Sequence, residues 1–518
     1  MRRLFQCVLT ATRPLVLTMV FCGALAFTAC TNEDNFAYDT PAAPESYETV
    51  LNYFKEINAV PRPSRHEDKM REYLTEFALT RGLTLVEDNG NIIIYKDATE
   101  GMENKPMVCL QTHMDMVCVA ADGYDIDFLT QGIEQYNDGK FIWSKDHKTS
   151  LGADDGIGMA IVLAVLDSKN VAHGPLECLF TWNEEDGLEG WAALTPDILR
   201  SQYMINIDWE WEGETCIGTA GGIMLAINQP YQTEAVGDDC AVLKLRIAGV
   251  TGGHSGVAIN NGGASAIKLL ADFLRSEDYG LRIADMDGGS APNAIATSAE
   301  ATVVVSNGQK ELFTERFNTF IAQAKQQYAE TDPNMTSAVE AAQASTCMKA
   351  AETGILLEGL SGAPQGVIEW STEVAGMFEI SNNVGVVGMA NGVCTVNYYV
   401  RGFNDEKMDG VAVSVEQAYE VGTSSVVSDR YASYSAWTAD LNSSLMQQAR
   451  DVWKSLFGTE MKLVRVGGGM ETSNFAISYP SMQIFTFGPN VSDAHTLNEH
   501  VEISSIERAW KYMVELLK

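Results

Sequence analysis

The chain has 518 residues, room for two to four domains of roughly 150 residues each. Hydrophobic residues make up 46% and charged residues 20%, with 44 Gly and 14 Pro, a balance that excludes disordered and fibrous classes. Lys and Arg number 35 against 69 Asp and Glu, and a net charge of −34 would repel phosphate backbones, which excludes nucleic acid as a partner.

At the N-terminus Arg2, Arg3 and Arg13 accompany an apolar run from Pro14 to Phe27, of signal-peptide length and too short to span a bilayer. The run ends in Phe27-Thr28-Ala29-Cys30, which resembles the lipobox of bacterial lipoproteins. Residues 1–30 are therefore expected to be a lipoprotein signal peptide, with Cys30 acylated and plain secretion as the alternative. Residues 31–46, rich in Asn, Asp, Glu, Ala and Pro, read as a tether. The expected location is outside the cytosol, lipid-anchored to the bacterial cell envelope, with no membrane contact beyond the anchor. Seven cysteines follow Cys30, an odd number with no CxxC pair, which argues against a disulfide framework or a thiolate metal site. Cys109 and Cys178 lie in apolar runs and are expected in the core.

Val50, Leu51, Phe54 and Ile57 carry a helical period, and a second helix is expected through Met70, Tyr73, Leu74 and Phe77. Short apolar runs of strand length then follow at 91–95, 107–110, 176–180 and 203–207, separated by helical stretches such as 157–166. Such alternation predicts an α/β domain with a mixed, largely parallel sheet. After Gly221 and Gly222 the texture changes: a strand at 242–247, a Gly-rich turn, a helix at 264–274 and a strand at 301–305 suggest a two-layer α+β insertion. The segments 466–471 and 483–487 and a final amphipathic helix at 503–517 return to the first style. The expected domains are a catalytic domain formed by 47–221 and 437–518, interrupted by an inserted domain at 222–436.

Open α/β sheets gather ligands at the carboxyl ends of their strands, so the residues just after each apolar run are the candidates for chemistry. The run at 107–110 leads into Gln111-Thr112-His113-Met114-Asp115, where His113 and Asp115 project to one side of an extended chain. Leu151-Gly152-Ala153-Asp154-Asp155-Gly156 is an acidic, glycine-flanked turn entering a helix, which could also be an ordinary Asp cap. Thr181-Trp182-Asn183 delivers Glu184-Glu185, adjacent carboxylates able to divide coordination from proton transfer. Asp208 follows the run at 203–207, and His495 lies in a loop before the last helix. Each alone is weak; together they form a set of imidazoles and carboxylates that suits zinc, with a shared carboxylate able to bridge two ions about 3.5 to 4 Å apart.

These motifs, with Pro61-Arg62-Pro63-Ser64, Gly174-Pro175-Leu176-Glu177 and Gly252-Gly253-His254-Ser255-Gly256, resemble the M20 metallopeptidases. Within them the chain looks most like the aminoacyl-histidine dipeptidases, or carnosinases, from about Tyr47 to Lys518. The resemblance implies two Zn²⁺ per subunit, with Co²⁺ or Mn²⁺ as substitutes. His113 and Asp208 would hold one ion, Glu185 and His495 the other, and Asp154 would bridge them. It further implies Glu184 as general base and Asp115 as the partner that orients His113. His254 would stabilise the oxyanion from a neighbouring subunit of a homodimer, and Asn293 and Arg401 would bind the substrate carboxylate.

The inserted domain would then be a lid and dimerisation domain, and the substrate a small dipeptide, of Xaa-His type. Hydrolysis of N-acyl amino acids on the same metal scaffold is the alternative, and a non-catalytic peptide-binding lipoprotein a more distant one. A serine nucleophile at Ser255 fails because G-x-S-x-G needs Gly at 257, which is Val. The sequence departs from the family at Gly467-Gly468-Gly469-Met470-Glu471-Thr472, where relatives carry an AGLECG-like run and only Glu471 is kept, and at Asp155 and Asp186, often Asn and Ala in similar enzymes.

Overall fold

The computed structural model describes residues 46–277 and 280–518, so the expected signal peptide and all of the tether but Ser46 lie outside the described residues. The first helix, Glu48–Ala59, buries Val50, Phe54 and Ile57, and the second, Asp68–Thr80, buries Met70, Leu74 and Phe77, the stripes that the apolar spacing predicts.

Five strands follow: β1 Thr84–Asp88, β2 Asn91–Lys96, β3 Val108–His113, β4 Leu176–Thr181 and β5 Tyr203–Asn206. The sheet order is β1-β2-β4-β3-β5, closed by Gln483–Thr486, which pairs in parallel with β5 from the far end of the chain. Because β3 runs parallel to both β4 and β5, three carboxyl ends open at one edge of the sheet. Only β2 runs against the other strands, pairing antiparallel with both β1 and β4, so the sheet is mixed and largely parallel, as expected. β1 itself is absent from the apolar pattern, because an edge strand with most of its residues outside the core carries no buried period. Cys109 and Cys178 are fully buried, as expected.

A second sheet of nine strands is antiparallel throughout. Its strands Phe378–Ala390 and Val393–Gly402 pair with each other, and Val393–Gly402 also pairs with Gly221–Pro230. The glycines at which the sequence texture changes are thus the first residues of a strand. Helices Ala266–Ser276 and Ala350–Gly362 pack on this sheet and on each other. One buried hydrophobic cluster draws its residues from 50–217 and 437–517, a second from 225–426.

Between the two sheets the strand Glu214–Thr219 is flanked by Trp437–Thr438 and Lys462–Val466. From this seam the buried Arg465 reaches Glu379 at 2.7 Å and lies 4.8 Å from the Phe403 ring. Among the described residues no helix is long and apolar enough to cross a membrane.

Candidate metal centre

β3 ends in His113, which is buried, and the chain turns at once into Met114-Asp115. His113 Nε2 lies 3.0 Å from Asp154 Oδ1 and 3.7 Å from Asp208 Oδ1. Asp154 comes from the turn that opens the helix Ala153–Asp167, but its backbone is extended rather than helical, which turns the carboxylate away from a capping role. Its second oxygen, Oδ2, lies 3.1 Å from His495 Nε2, and the same nitrogen is 2.8 Å from Glu185 Oε1. Each oxygen of Asp154 therefore faces a different imidazole. Two groups with donor atoms within 4.8 Å of one another, His113–Asp154–Asp208 and Asp154–Glu185–His495, share this one side chain, and a third joins Glu184 to His113 and Glu185.

Asp115 ties the two loops together. Its Oδ1 accepts the Glu184 N–H at 3.0 Å and stands 3.4 Å from His113 Nδ1, while Oδ2 accepts from the Ser64 hydroxyl at 2.8 Å and the Glu185 N–H at 3.3 Å. One buried carboxylate thus sets the imidazole and the backbone of the glutamate pair. Further back, Glu471 accepts from Gln111 Nε2 at 2.6 Å and Thr181 Oγ1 at 2.9 Å, and Gln111 accepts from Asn206 Nδ2 at 2.5 Å. This chain of hydrogen bonds joins β3, β4 and β5 where they release their ligands.

The electrostatics explain what such a site needs. Burial, then the charge of Asp154, pushes Glu185 up to about 7 and Asp208 up to about 6. Burial, opposed by His113 and reinforced by Glu185 and Asp208, holds Glu184 well above the usual carboxylate range. Burial would lower both histidines, but their carboxylate neighbours outweigh it, raising His113 well above its usual value and His495 to about 11. Asp154 moves the other way: burial opposes ionisation, yet hydrogen bonds to the two imidazoles keep it far below its usual value. Acids and bases that are raised together report an excess of negative charge at the site. The oxygen and imidazole donors, converging from two sides on one carboxylate, fit a pair of divalent ions.

In the second sheet the structure brings the other expected residues together. Arg401, expected at a strand end, is buried, with its guanidinium 3.9 Å from the Tyr399 ring centre. Its Nη1 donates to the Gly467 carbonyl at 2.9 Å and to the Tyr434 hydroxyl at 3.1 Å, and Nη2 lies 3.4 Å from His254 Nε2. Burial and then Arg401 push His254 down to about 4. Its Nδ1 accepts the Gly256 N–H at 3.2 Å. Asn293 is held beside it, its carbonyl accepting the Ser255 N–H at 2.8 Å.

Sequence reasoning assigned no role to Gln111, Ser64, Arg62 or Glu499, all of which border the site. Arg62 and Ser64 belong to a motif visible in the sequence. Gln111 and Glu499 carry no local signal beyond standing near His113 and His495.

An excess of carboxylates at the open ends of parallel strands, relieved by cations, is the arrangement of a metal-dependent hydrolase, and fold and site together define that class. The chain belongs to peptidase family M20/M25/M40, whose model matches residues 109–518. It is 36% identical over 479 residues to the cytosol non-specific dipeptidase of Escherichia coli, covering 91% of this chain and 98% of that one. The aminoacylhistidine dipeptidase of Vibrio alginolyticus superposes with a TM-score of 0.85 at 33% identity, over 90% of this chain and 96% of the other. An aminopeptidase from Bacillus cereus, at 18% identity and a TM-score of 0.52, shares the fold. The enzyme is thus a hydrolase of peptide bonds.

The comparison also corrects the expected location. A relative aligned over nearly its whole length is named for the cytosol, and this overturns the exported, lipid-anchored assignment with its signal peptide and acylated Cys30. The physical reason is the small size of the signal: about a dozen apolar residues before a cysteine is a short compositional match. The seven cysteines of the described residues are all free.

Proposed function

We propose that this enzyme is a dipeptidase that includes Xaa-His dipeptides among its substrates and works with two divalent cations, zinc by the chemistry of the donors. The observation that carries this reading is Asp154, whose two oxygens face His113 and His495 from opposite sides. His113 and Asp208 would hold one ion, Glu185 and His495 the other. Bound there, the ions would supply Lewis acidity, polarising the scissile carbonyl and making water easier to deprotonate.

Glu184 is the general base in this reading. Its backbone is fixed by Asp115, and its ionised carboxylate, made more basic by burial, would take a proton from water as the water oxygen bonds to the carbonyl carbon. The same proton then passes to the amine nitrogen as the C–N bond breaks, and the second proton of the water follows from the new carboxylic acid to the amine, which leaves an ammonium and a carboxylate. The Arg401 guanidinium, with Asn293, would hold the substrate's terminal carboxylate. His254 would donate to the carbonyl oxygen as negative charge develops there. Segment 222–436 would be the inserted lid and dimerisation domain, supported by the separate cluster at 225–426. A homodimer in which His254 serves the partner's site is part of the proposal, and sedimentation showing a fully active monomer would overturn that part.

The names of the relatives favour dipeptides over N-acyl amino acids. The test is amine release by zinc-loaded enzyme from Xaa-His dipeptides, other dipeptides, tripeptides and N-acetyl amino acids, beside Glu184→Ala. Dipeptide cleavage should fall about 10² to 10⁴-fold in the variant. Activity confined to N-acetyl amino acids would move the enzyme to the deacylases.

A further inference from the structure

The turn Leu151–Asp154, which carries the shared carboxylate, has every one of its four N–H groups bonded to a single side chain. Glu499, 2% exposed, accepts Leu151 and Gly152 on Oε2 at 2.8 and 3.0 Å, and Ala153 and Asp154 on Oε1 at 2.7 and 3.4 Å. The carbonyl side is held as well. Asn58 Nδ2 donates to the Leu151 oxygen at 2.9 Å, and Arg62 Nη2 donates to the Gly152 oxygen. The same guanidinium reaches back through Nη1 to the carbonyls of Asp115 at 2.6 Å and Met114 at 3.2 Å. Gly152 has φ +72°, and a Cβ there would fall 2.6 Å from both Arg62 Nη2 and Met116 Sδ, so only glycine fits between the fasteners.

Burying a carboxylate and a guanidinium costs several kcal/mol per ion before their partners repay it. A turn that only had to start a helix would need one Ser, Asp or Asn at its cap. The clamp does more, because it fixes where the Asp154 backbone stands relative to β3, which carries His113, and to the loop of His495. We propose that Glu499, assisted by Arg62 and Asn58, is a positioning residue that holds both oxygens of Asp154 toward the two cation positions at once. It touches neither substrate nor ion and acts through the backbone of residues 151–154. The inference rests on the metal-centre reading above.

A merely structural role would look different, and Glu177 supplies the comparison. It too is a fully buried glutamate that clamps a loop, accepting the N–H groups of Arg200 and Ser201 at 3.1 and 3.2 Å and the Ser201 hydroxyl at 2.8 Å, but it sits at the start of β4, away from the ligands. In Glu499→Gln one amide oxygen can accept two of the four N–H groups, and the new NH₂ is set against the others. The full-length enzyme and the variants E499Q and E177Q would be stripped of metal, checked for folding by calorimetry, and titrated with zinc against a chromophoric chelator. The expected result is zinc affinity lowered about 10 to 100-fold in E499Q, with kcat falling and KM little changed, and wild-type affinity in E177Q. Affinity in E499Q no weaker than in E177Q would overturn the inference. Should E499Q fail to fold, Asn58→Ala frees only the Leu151 carbonyl and must still weaken zinc binding, and unchanged affinity there overturns it equally. Wild-type enzyme that binds no divalent ion would instead refute the metal centre itself.

Discussion

At the ends of β3 and β4 carboxylates outnumber the bases that face them, whereas around Arg401 a guanidinium stands beside a neutral imidazole, two tyrosines and a backbone carbonyl. The first region is pinned from many sides: Asp115, Glu471 and Glu499 each accept hydrogen bonds from separate segments of chain. In the second, Arg401 meets the Gly467 carbonyl and Gly256 packs against the same residue. The difference matches the division of labour proposed. Ion geometry tolerates little error and is built on strand ends, while a site that must admit and release a peptide needs one face that can part from the other.

Three experiments would break or sharpen that contrast. The largest effect is expected from Asp154→Asn. One neutral amide cannot serve two cations, so metal content measured by atomic emission should drop below two per chain, with activity lost by more than the roughly 10²-fold typical of outer-shell changes. Retention of both ions would break the comparison at its centre. Arg401→Lys comes next. It keeps the charge but loses the fork and the stacking on Tyr399, so kcat/KM for dipeptides should fall about 10 to 100-fold, equivalent to about 1.4 to 2.7 kcal/mol, with metal content unchanged. An effect on metal content would show that the two regions are not separate.

The smallest effect concerns His254. Its folded pKa, about 4, lies below the unfolded value near 6.5, so the unfolded chain binds the proton more readily. The stability this neutral imidazole contributes is present above pH 6.5 and is lost as pH falls through about 4. His254→Asn should therefore show a shallower loss of urea stability over that window than the wild type. Parallel curves would mean that the ring is not held neutral.

Much of the metal centre was legible in the sequence because it obeys local rules. Apolar runs of strand length put His113 at the end of a strand and Glu184 and Asp208 just past one, and period-two geometry set His113 and Asp115 on one side. Only the order of these residues, matched to a family, raised them above solvated loops. The residues that hold them were not legible. Glu499 reaches residues 151–154 across more than 340 positions of sequence, and Gln111 meets Glu471 across 360, with no local period to announce either. The edge strand β1 was missed for a related reason, since its mostly uncovered residues leave no pattern. The exported location was over-read from a short N-terminal run.

By itself, then, the sequence determined the class of fold and offered a list of candidate residues for binding cations, because hydrophobic periodicity and strand-end chemistry act over a few residues. Tertiary structure decided which of those residues meet. The sharing of Asp154, the clamp by Glu499 and the placing of His254 beside Arg401 all depend on segments far apart in sequence, brought together by the burial of two separate hydrophobic clusters.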